Sequence, residues 1–558
     1  MSASTKKKLR KEENAVKLTE KQLTEQKEAK KLKGYTVAFA VVVSLVLVLS
    51  IVIMAVTAFN NSGIMERNTD ALTVGEHTLS NAELNYFYID AVNETYSSWN
   101  EQYGEYASMY LAMMGLDPTK PLNEQVNVGS ESGESYADYF KDIAIANATN
   151  TYAAYDLAVA DGHTVSENAQ ANVDSNLQTL EMYASIYGYA NTEDYLKAIY
   201  GNGTTEESFR NYLNVRATAD SYLAARYDSF SYDAAAIEAH NKENFDKYSH
   251  FSYDQYLVDV DDFIVCPDPE NKEHKHSAEE IAAAEAAAKA AAEKLVASGA
   301  TSASALNMAI NALDVFAGGE NTEACNENKN IFLENIYNEE LSAWLADDAR
   351  VEGDLAMIPY TYESTAEDGT KTTKLYGYYV VLFQGSDDNN TNLVDVRHIL
   401  AKFTGGKTDQ ATGKTTYTTE EKNAALEKIN KVKDQWLANG GTEAALIDLV
   451  KDNSDDTGSK ENGGLYANVY PGQMVEAFNN WCFAEGRKNG DYEIVETEFG
   501  YHLIYFVNKS DVTFRNYMIE NNLRNTDYEA WYTEITEAVE AKELNTKYLS
   551  LDLVLSGN

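Results

Sequence analysis

The chain has 558 residues, 44% of them hydrophobic, and a formal net charge of −43. This length predicts three or four domains, each with a core of its own. Residues 1–34 hold eleven Lys or Arg against five Asp or Glu, whereas the rest of the chain holds 34 basic against 83 acidic residues. Because so acidic a body repels nucleic acid, nucleic-acid binding is excluded from the expected functions.

An uncharged run at residues 35–59, rich in Val, Leu and Ile, follows the basic tail at 1–34. As a helix it would be about 37 Å long, enough to cross a hydrocarbon core of about 30 Å. The positive-inside rule predicts a cytoplasmic N-terminus and an extracytoplasmic body. A cleaved signal peptide is the alternative, since Val56-Thr-Ala58 could form a cleavage site, although the apolar run is longer than the usual signal core.

The cysteines are Cys266, Cys325 and Cys482. An odd and sparse number argues against a disulfide framework, and whether Cys266 pairs with Cys325 stays open. Cys266, His274 and His276 are residue types that bind metals, but they lack a fourth ligand and a typical spacing, so no metal site is expected.

Residues 60–250 are predicted to be mostly helical, after one alternating segment at 71–80 that turns at Gly75. The predicted helices lie at 81–99, 136–161, 166–189, 192–200 and 206–227. Tyrosine is abundant here, and its flat ring with a polar tip can contact extended peptides. Packing between helices is the more ordinary role for most of these side chains.

An internal repeat relates residues 251–386 to residues 390–508. Four residue types recur at identical spacing, Trp344, Arg350, Gly353 and Asp354 in the first copy and Trp481, Arg487, Gly490 and Asp491 in the second. In each copy a strand precedes a helix that opens with a capping box, at Ser277 and at Thr418. Insertions at 259–276 and 362–373 in the first copy are expected to be surface loops.

The second copy carries two histidines on two predicted strands, His398 near its start and His502 near its end. A helical run, a Gly-Gly-Leu turn at 463–465 and a Gly-Gln-Met segment at 472–474 lie between them. This pattern predicts a small α+β domain with a mostly apolar site.

The second copy resembles the parvulin family of peptidyl-prolyl isomerases. The segments that carry the resemblance, in the family's order, are Arg397-His-Ile-Leu400, Ser454-Asp-Asp456, Gly463-Gly-Leu465, Gly472-Gln-Met474 through Phe478, and Thr497-Glu-Phe-Gly-Tyr-His502. Residues 60–250 are similar in pattern to the N-terminal chaperone module of SurA- and PrsA-type foldases. In those proteins the C-terminal segment packs back on that module, which implies the same for residues 509–558.

The resemblance also implies roles for individual residues. His398 and His502 would form a central pair, with Thr497 bonded to one ring and Asp456 facing the rotating carbonyl. The proline pocket would consist of Leu465, Met474 and Phe478, with Gln473 at its border and Val469 or Tyr470 as a further wall. Isomerisation of an Xaa-Pro bond breaks no bond and needs neither a cofactor nor a metal.

The first copy lacks these site residues. Tyr379 stands where His502 stands, Tyr256 is expected where His398 stands, and the Gly-Gly-Leu and Gly-Gln-Met segments are missing. Residues 251–386 are therefore interpreted as a parvulin-like domain that has lost catalysis.

The expected fold class is α+β. A transmembrane helix at 35–59 leads to a helical chaperone-like module at 60–250, two tandem parvulin-like domains of which the first is degenerate, and C-terminal helices at 514–523 and 528–541. The expected function is that of a membrane-anchored, extracytoplasmic isomerase and chaperone for unfolded or newly exported polypeptides with Xaa-Pro bonds. The alternative is a non-catalytic holdase or assembly factor that uses both copies only to bind peptides.

Overall fold

The computed structural model of the chain describes residues 4–6, 20–267, 276–316, 323–365, 370–410 and 412–555. Two compact units are present, one made of residues up to 230 together with residues from 527, and the other of residues 231–526. The division differs from the predicted boundaries, because residues 231–250 and 509–526 belong to the second unit. His274, one of the residues considered above as a metal ligand, lies outside the described residues.

The chain mixes helices and antiparallel sheets, as the α+β prediction requires. The helices are α1 Glu20–Asn60, α2 Ile64–Asn68, α3 Asn81–Tyr103, α4 Ala107–Met113, α5 Tyr136–Ala160, α6 Glu167–Ile186, α7 Thr192–Tyr200, α8 Glu206–Ser229, α9 Ala234–Glu243, α10 Ala278–Ala297, α11 Ala303–Ile310, α12 Glu339–Leu345, α13 Thr419–Ala438, α14 Glu443–Asn453, α15 Glu476–Cys482 and α16 Phe514–Glu537. The strands are β1 Asp70–Val74, β2 His77–Ser80, β3 His250–Asp259, β4 Asn326–Phe332, β5 Leu355–Thr365, β6 Lys371–Asp387, β7 Asn392–Lys402, β8 Lys407–Thr408, β9 Thr415–Thr416, β10 Leu465–Val469, β11 Tyr492–Glu496, β12 Gly500–Thr513 and β13 Ala541–Glu543.

Helix α1 contains the predicted apolar run. Within it, residues Val41–Asn60 are long and apolar enough to cross a membrane, with a mean hydropathy of 2.9, and their side chains are not buried by the rest of the chain. In the described residues no other helix meets the same criterion of length and composition.

The first unit is built around a helical core. The alternating segment at 71–80 forms a hairpin of β1 and β2 that turns at Gly75, as predicted. A capping box at Ser80 starts α3, whose Leu84, Tyr86 and Ile89 are buried against other helices of the unit. Burying this apolar stripe stabilises the unit far more than the intrinsic helix propensity of α3 could.

The end of the chain completes the first unit. Strand β13 pairs with β1 in antiparallel register, and Leu549 is buried in the same core. The prediction of two C-terminal helices, 514–523 and 528–541, is wrong: α16 runs without a break through the polar residues between them and ends at Glu537. The residues between them, 524–527, include neither Gly nor Pro, and polar residues cost a helix less than about 1 kcal/mol each, so they do not interrupt it.

The second unit contains two four-stranded antiparallel sheets with equivalent strand orders, β4-β3-β6-β5 and β10-β7-β12-β11. Helix α10 covers one face of the first sheet, and α13 covers the corresponding face of the second. Helices α12 and α15 cover the opposite faces. Both predicted capping boxes are present, at Ser277 and at Thr418.

The strand registers correct two expectations for the first copy. Tyr379 on β6 lies opposite Leu257 on β3, just as His502 on β12 lies opposite Leu400 on β7. Counting back along each strand, Gln255 takes the position of His398, and Tyr256 points to the opposite face. The insertion at 362–373 is not a plain loop, because β5 and β6 extend into it as paired strands.

Candidate active site

The two histidines meet on one face of the second sheet. His398 lies on β7 and His502 on β12, each two residues from apolar side chains that pack against α15. Their Nδ1 atoms are 3.1 Å apart, and both side chains are buried. In the strand register His398 lies opposite Ile504, and His502 lies opposite Leu400. The two histidines are therefore two positions apart on neighbouring strands, and strand alternation places both on the same face.

Asp456 accepts hydrogen bonds at the other end of the His398 ring. Its Oδ2 atom is 3.0 Å from His398 Nε2, and Tyr466 donates to the same oxygen from 3.0 Å. The backbone N–H and the hydroxyl of Ser459 also donate to Oδ2. These bonds, that from His398 above all, hold the pKa of the Asp456 carboxyl well below its usual value, so that the group is ionised.

Thr497 closes the hydrogen-bond chain at His502. Its Oγ1 atom is 2.9 Å from His502 Nε2 and accepts a bond from the backbone N–H of Phe499. Burial lowers the pKa of His502 to about 3, with His398 adding to the effect, so that the ring is neutral near neutral pH.

With a single proton on each ring, one set of tautomers satisfies these contacts. The Asp456 carboxylate only accepts, so His398 carries its proton on Nε2 and His398 Nδ1 accepts from His502 Nδ1–H. His502 Nε2 then accepts from the hydroxyl of Thr497. The chain of bonds is thus directed from Thr497 through both rings to Asp456.

Aromatic side chains border the pair. Phe478 on α15 meets both rings edge-on, with centroids 5.6 Å from His398 and 5.3 Å from His502. Tyr466 stacks on His398 with centroids 5.0 Å apart. Met474 is partly buried against the same apolar cluster. The site therefore joins an apolar wall to a polar network.

The turns that hold the site follow from particular residues. Ser454 accepts bonds from the backbone N–H groups of Leu400 and Asp456, which fixes the loop after α14 against β7. Gly464 has a φ of 75°, and a Cβ atom there would lie 2.4 Å from the carbonyl oxygen of His398. Only glycine allows this approach, which explains the Gly-Gly pair before β10.

The structure brings together most of the predicted site residues. His398, His502, Asp456 and Thr497 form one hydrogen-bonded chain, and Phe478 contacts both rings. Gln473 is exposed, and its Oε1 atom accepts a bond from the backbone N–H of Tyr470. Val469 is buried in the cluster that contains Phe478, whereas Tyr470 stacks on Phe514.

Leu465 is not brought to the site, and Tyr466 takes its place. Leu465 pairs with Arg397 on the face opposite the histidines, while Tyr466 pairs with Val396 on the histidine face. A bulge between Tyr466 and Val469, with Asn468 at a φ of 55°, puts those two side chains on one face despite their odd spacing. Ser459 was also missed, because no signal in the sequence distinguishes it from an ordinary turn serine.

The comparisons with known proteins point to the same part of the chain. Residues 378–510 match the family model of the PPIC-type PPIase domain. This stretch resembles a parvulin-type domain. It contains every residue of the hydrogen-bonded chain described above and begins within β6.

The related proteins are foldases. Foldase protein PrsA 2 of Listeria monocytogenes is 37% identical over 84 residues, which cover 15% of this chain and 26% of the relative. Foldase protein PrsA of Exiguobacterium sibiricum is 33% identical over 91 residues, 16% of this chain and 28% of the relative. The matched stretch thus spans about a quarter of the length of these curated relatives. The chain resembles parvulin-type, PrsA-like foldases.

Among solved structures, PrsA from Bacillus subtilis aligns with 75% of this chain and 91% of its own, at 12% identity and a TM-score of 0.24. PrsA from Bacillus anthracis aligns with 27% of this chain and 59% of its own, at 21% identity and a TM-score of 0.16.

Within the described residues, no group of three or more His, Cys, Asp or Glu side chains could hold a metal ion. Cys266, Cys325 and Cys482 are free thiols in the structure. Burial raises the pKa of the Cys482 thiol to about 12, so it is not a nucleophile near neutral pH.

Acid should destabilise the second copy, the domain that carries His398 and His502. His502 has a folded-state pKa of about 3 against an ordinary value of 6.5, so the unfolded chain binds a proton that the folded chain does not. The free energy of unfolding therefore falls as the pH decreases from about 6.5 toward 3, and Asp456, with its lowered pKa, adds to the loss in the acidic part of that range. Urea unfolding at a series of pH values measures this slope. His502→Phe should flatten it, and an unchanged slope in that variant would contradict the neutral buried His502.

Proposed function

We propose that this protein is a membrane-anchored, extracytoplasmic peptidyl-prolyl cis-trans isomerase and chaperone that assists the folding of exported polypeptides. The observation that carries the proposal is the buried chain of hydrogen bonds from Thr497 through His502 and His398 to Asp456, placed beside Phe478. The match of residues 378–510 to the PPIC-type domain supports it.

The proposed reaction is a rotation about the Xaa-Pro peptide bond. Rotation about the Xaa-Pro bond has a barrier of about 18–20 kcal/mol because the amide loses its resonance. No covalent bond forms or breaks, so the site lowers the barrier by binding the twisted amide more tightly than either planar form. Phe478 and Met474 would hold the proline ring, and this apolar contact removes water from the carbonyl.

The polar network would supply the other half of catalysis. Asp456 keeps a fixed negative charge beside His398 and orients Tyr466 and Ser459. Because its donors and acceptors are already oriented, the network needs no reorganisation when the carbonyl of the substrate turns. Asp456 occupies the position expected to face the rotating carbonyl, and a carboxylate there excludes attack by a thiolate from the same position.

The first copy would serve as a parvulin-like domain without isomerase activity. The equivalent strand order of the two sheets supports this, and so do Gln255 and Tyr379 at the positions of the two histidines. Neither side chain can reproduce a chain of two imidazoles that ends on a carboxylate.

The anchor and the chaperone role complete the proposal. The apolar part of α1, Val41–Asn60, would span the membrane once, and the basic residues before it favour a cytoplasmic N-terminus. The helical first unit, closed by β13 on β1, would bind unfolded clients.

A peptide assay tests the isomerase activity. The full chain should speed cis-trans exchange of an Ala-Pro peptide, measured by magnetisation-exchange NMR. Met474→Ala should lower the activity about tenfold, because the pocket loses part of its apolar wall. Met308→Ala removes an exposed methionine from the first copy and should change nothing. A chain that suppresses aggregation of a denatured protein but leaves exchange at the uncatalysed rate would instead be the non-catalytic holdase.

A further inference from the structure

The first copy contains a groove that the proposed isomerase activity does not use. Its volume is about 640 Å³, and its walls include Tyr253 and Gln255 on β3, Tyr360 on β5 and Tyr379 on β6. The beginning of α12 forms the rim, with Glu339 and Glu340. This volume lies within the range of about 300–1,000 Å³ that is typical of ligand pockets.

The groove occupies the place that the histidine site occupies in the second copy. Gln255 and Tyr379 stand at the register positions of His398 and His502. Tyr253 also packs on Leu341 of α12, as the corresponding face of the second sheet packs on α15. At these positions the first copy therefore has an open concave surface.

The walls of the groove suit an extended peptide. Tyr360 and Tyr379 lie with ring centroids 5.0 Å apart and ring planes tilted by 30°, and they give the groove an aromatic wall against which a side chain can pack. The side-chain amides of Gln255 and Asn328 can pair with the N–H and C=O groups of a peptide backbone, since an amide both donates and accepts.

The charge of the groove selects among peptides. Glu339 and Glu340 are its carboxylates, and its described lining contains no Lys, Arg or His. The nearest cation on β4, Lys329, is paired with Glu327 at 2.7 Å. An extended segment that carries Lys or Arg beside an aromatic residue is therefore complementary to the groove, whereas an acidic segment is repelled.

We propose that the groove of the first copy is a second, non-catalytic binding site for extended polypeptide segments in which a basic residue neighbours an aromatic one. Proline is not needed for binding there. The site is independent of the isomerase activity proposed above, since it lies on a separate sheet and uses none of the histidine network.

Binding of a fluorescein-labelled, proline-free peptide that alternates Lys with Tyr tests the site. The full chain in detergent should bind this peptide, and the matched peptide with Glu in place of Lys should bind at least about tenfold more weakly. Tyr379→Ala should weaken binding of the Lys peptide about tenfold, as expected for the loss of an aromatic contact at the centre of an interface. The double variant Glu339→Gln and Glu340→Gln, at exposed positions where folding is not at risk, should reduce the preference for Lys over Glu.

Controls separate this site from the histidine site. Met474→Ala lies in the second copy and should leave binding of the Lys peptide unchanged, and Tyr379→Ala should leave cis-trans exchange of the Ala-Pro peptide unchanged. Equal binding of the Lys and Glu peptides would overturn the proposal. So would full affinity in both the Tyr379→Ala variant and the double variant, whatever the isomerase assay shows.

Discussion

His502→Ala should lower the isomerase activity of the chain by about 10²-fold, an effect typical of removing one preorganised polar group from an active site. The substitution removes the middle of the hydrogen-bond chain, because His502 contacts His398 at 3.1 Å and Thr497 at 2.9 Å. It also removes the ring that meets Phe478 edge-on. The rate of cis-trans exchange at equal protein concentration measures the effect.

Two further variants show why activity is lost. His502→Phe keeps a ring beside Phe478 but cannot hydrogen-bond, so it should lose nearly as much activity as His502→Ala. Tyr379→Ala changes the equivalent strand position of the first copy and should keep full activity. If His502→Phe were as active as the unmodified protein, His502 would be a packing residue and the proposed network would have no part in catalysis.

Arg515→Ala should destabilise the second unit by about 3–5 kcal/mol, because several buried hydrogen-bond acceptors are left without a donor at roughly 1–3 kcal/mol each. Arg515 is 1% exposed and donates to the backbone carbonyls of Phe245, Tyr248 and Asp388. It also donates to the side chain of Asn241, and its guanidinium lies 3.8 Å from the ring centroid of Phe245. Without it, several buried carbonyls lose their donors.

Urea unfolding of the chain without its first 60 residues measures this effect. Lys509→Ala is the matched control, because Lys509 is an exposed cation six residues earlier, and its removal should change the stability by less than about 0.5 kcal/mol. Equal unfolding midpoints for the two variants would show that Arg515 does not hold residues 241–249 to the beginning of α16.

The sequence allowed the hydrogen-bonded part of the site to be predicted, because the chemistry requires particular residue types. Two histidines, a threonine and an aspartate at recognisable positions are few enough to be assigned by resemblance. The structure adds the hydrogen bonds that connect these four residues. Those bonds depend on interatomic distances, which no sequence pattern contains.

The apolar wall was harder to predict because it depends on one backbone irregularity. Simple alternation back from Val469 puts Leu465 on the pocket face, and the bulge at Asn468 exchanges it for Tyr466. A bulge shifts the register by one residue and so reverses the facing of every residue beyond it. A difference of one residue also determines which side chain faces the groove in the first copy. That side chain is Gln255 and not Tyr256.

Long elements were predicted better than their ends. The helices α3, α5 and α8 were predicted because their apolar periodicity extends over several turns. The predicted break in α16 was wrong because residues 524–527, although polar, include neither Gly nor Pro and so do not end a helix. Beyond these residues the ring of Tyr528 contacts those of Trp531 and Tyr532 on the same helix.

Proline-limited refolding of a test protein, catalysed separately by residues 390–510 and by residues 251–386, tests the central claim most directly. The first fragment contains the complete chain from Thr497 to Asp456, and the second carries Tyr379 and Gln255 instead. The account predicts acceleration by residues 390–510 and none by residues 251–386. Equal acceleration by both fragments, or none by residues 390–510 when circular dichroism shows that they are folded, would contradict it.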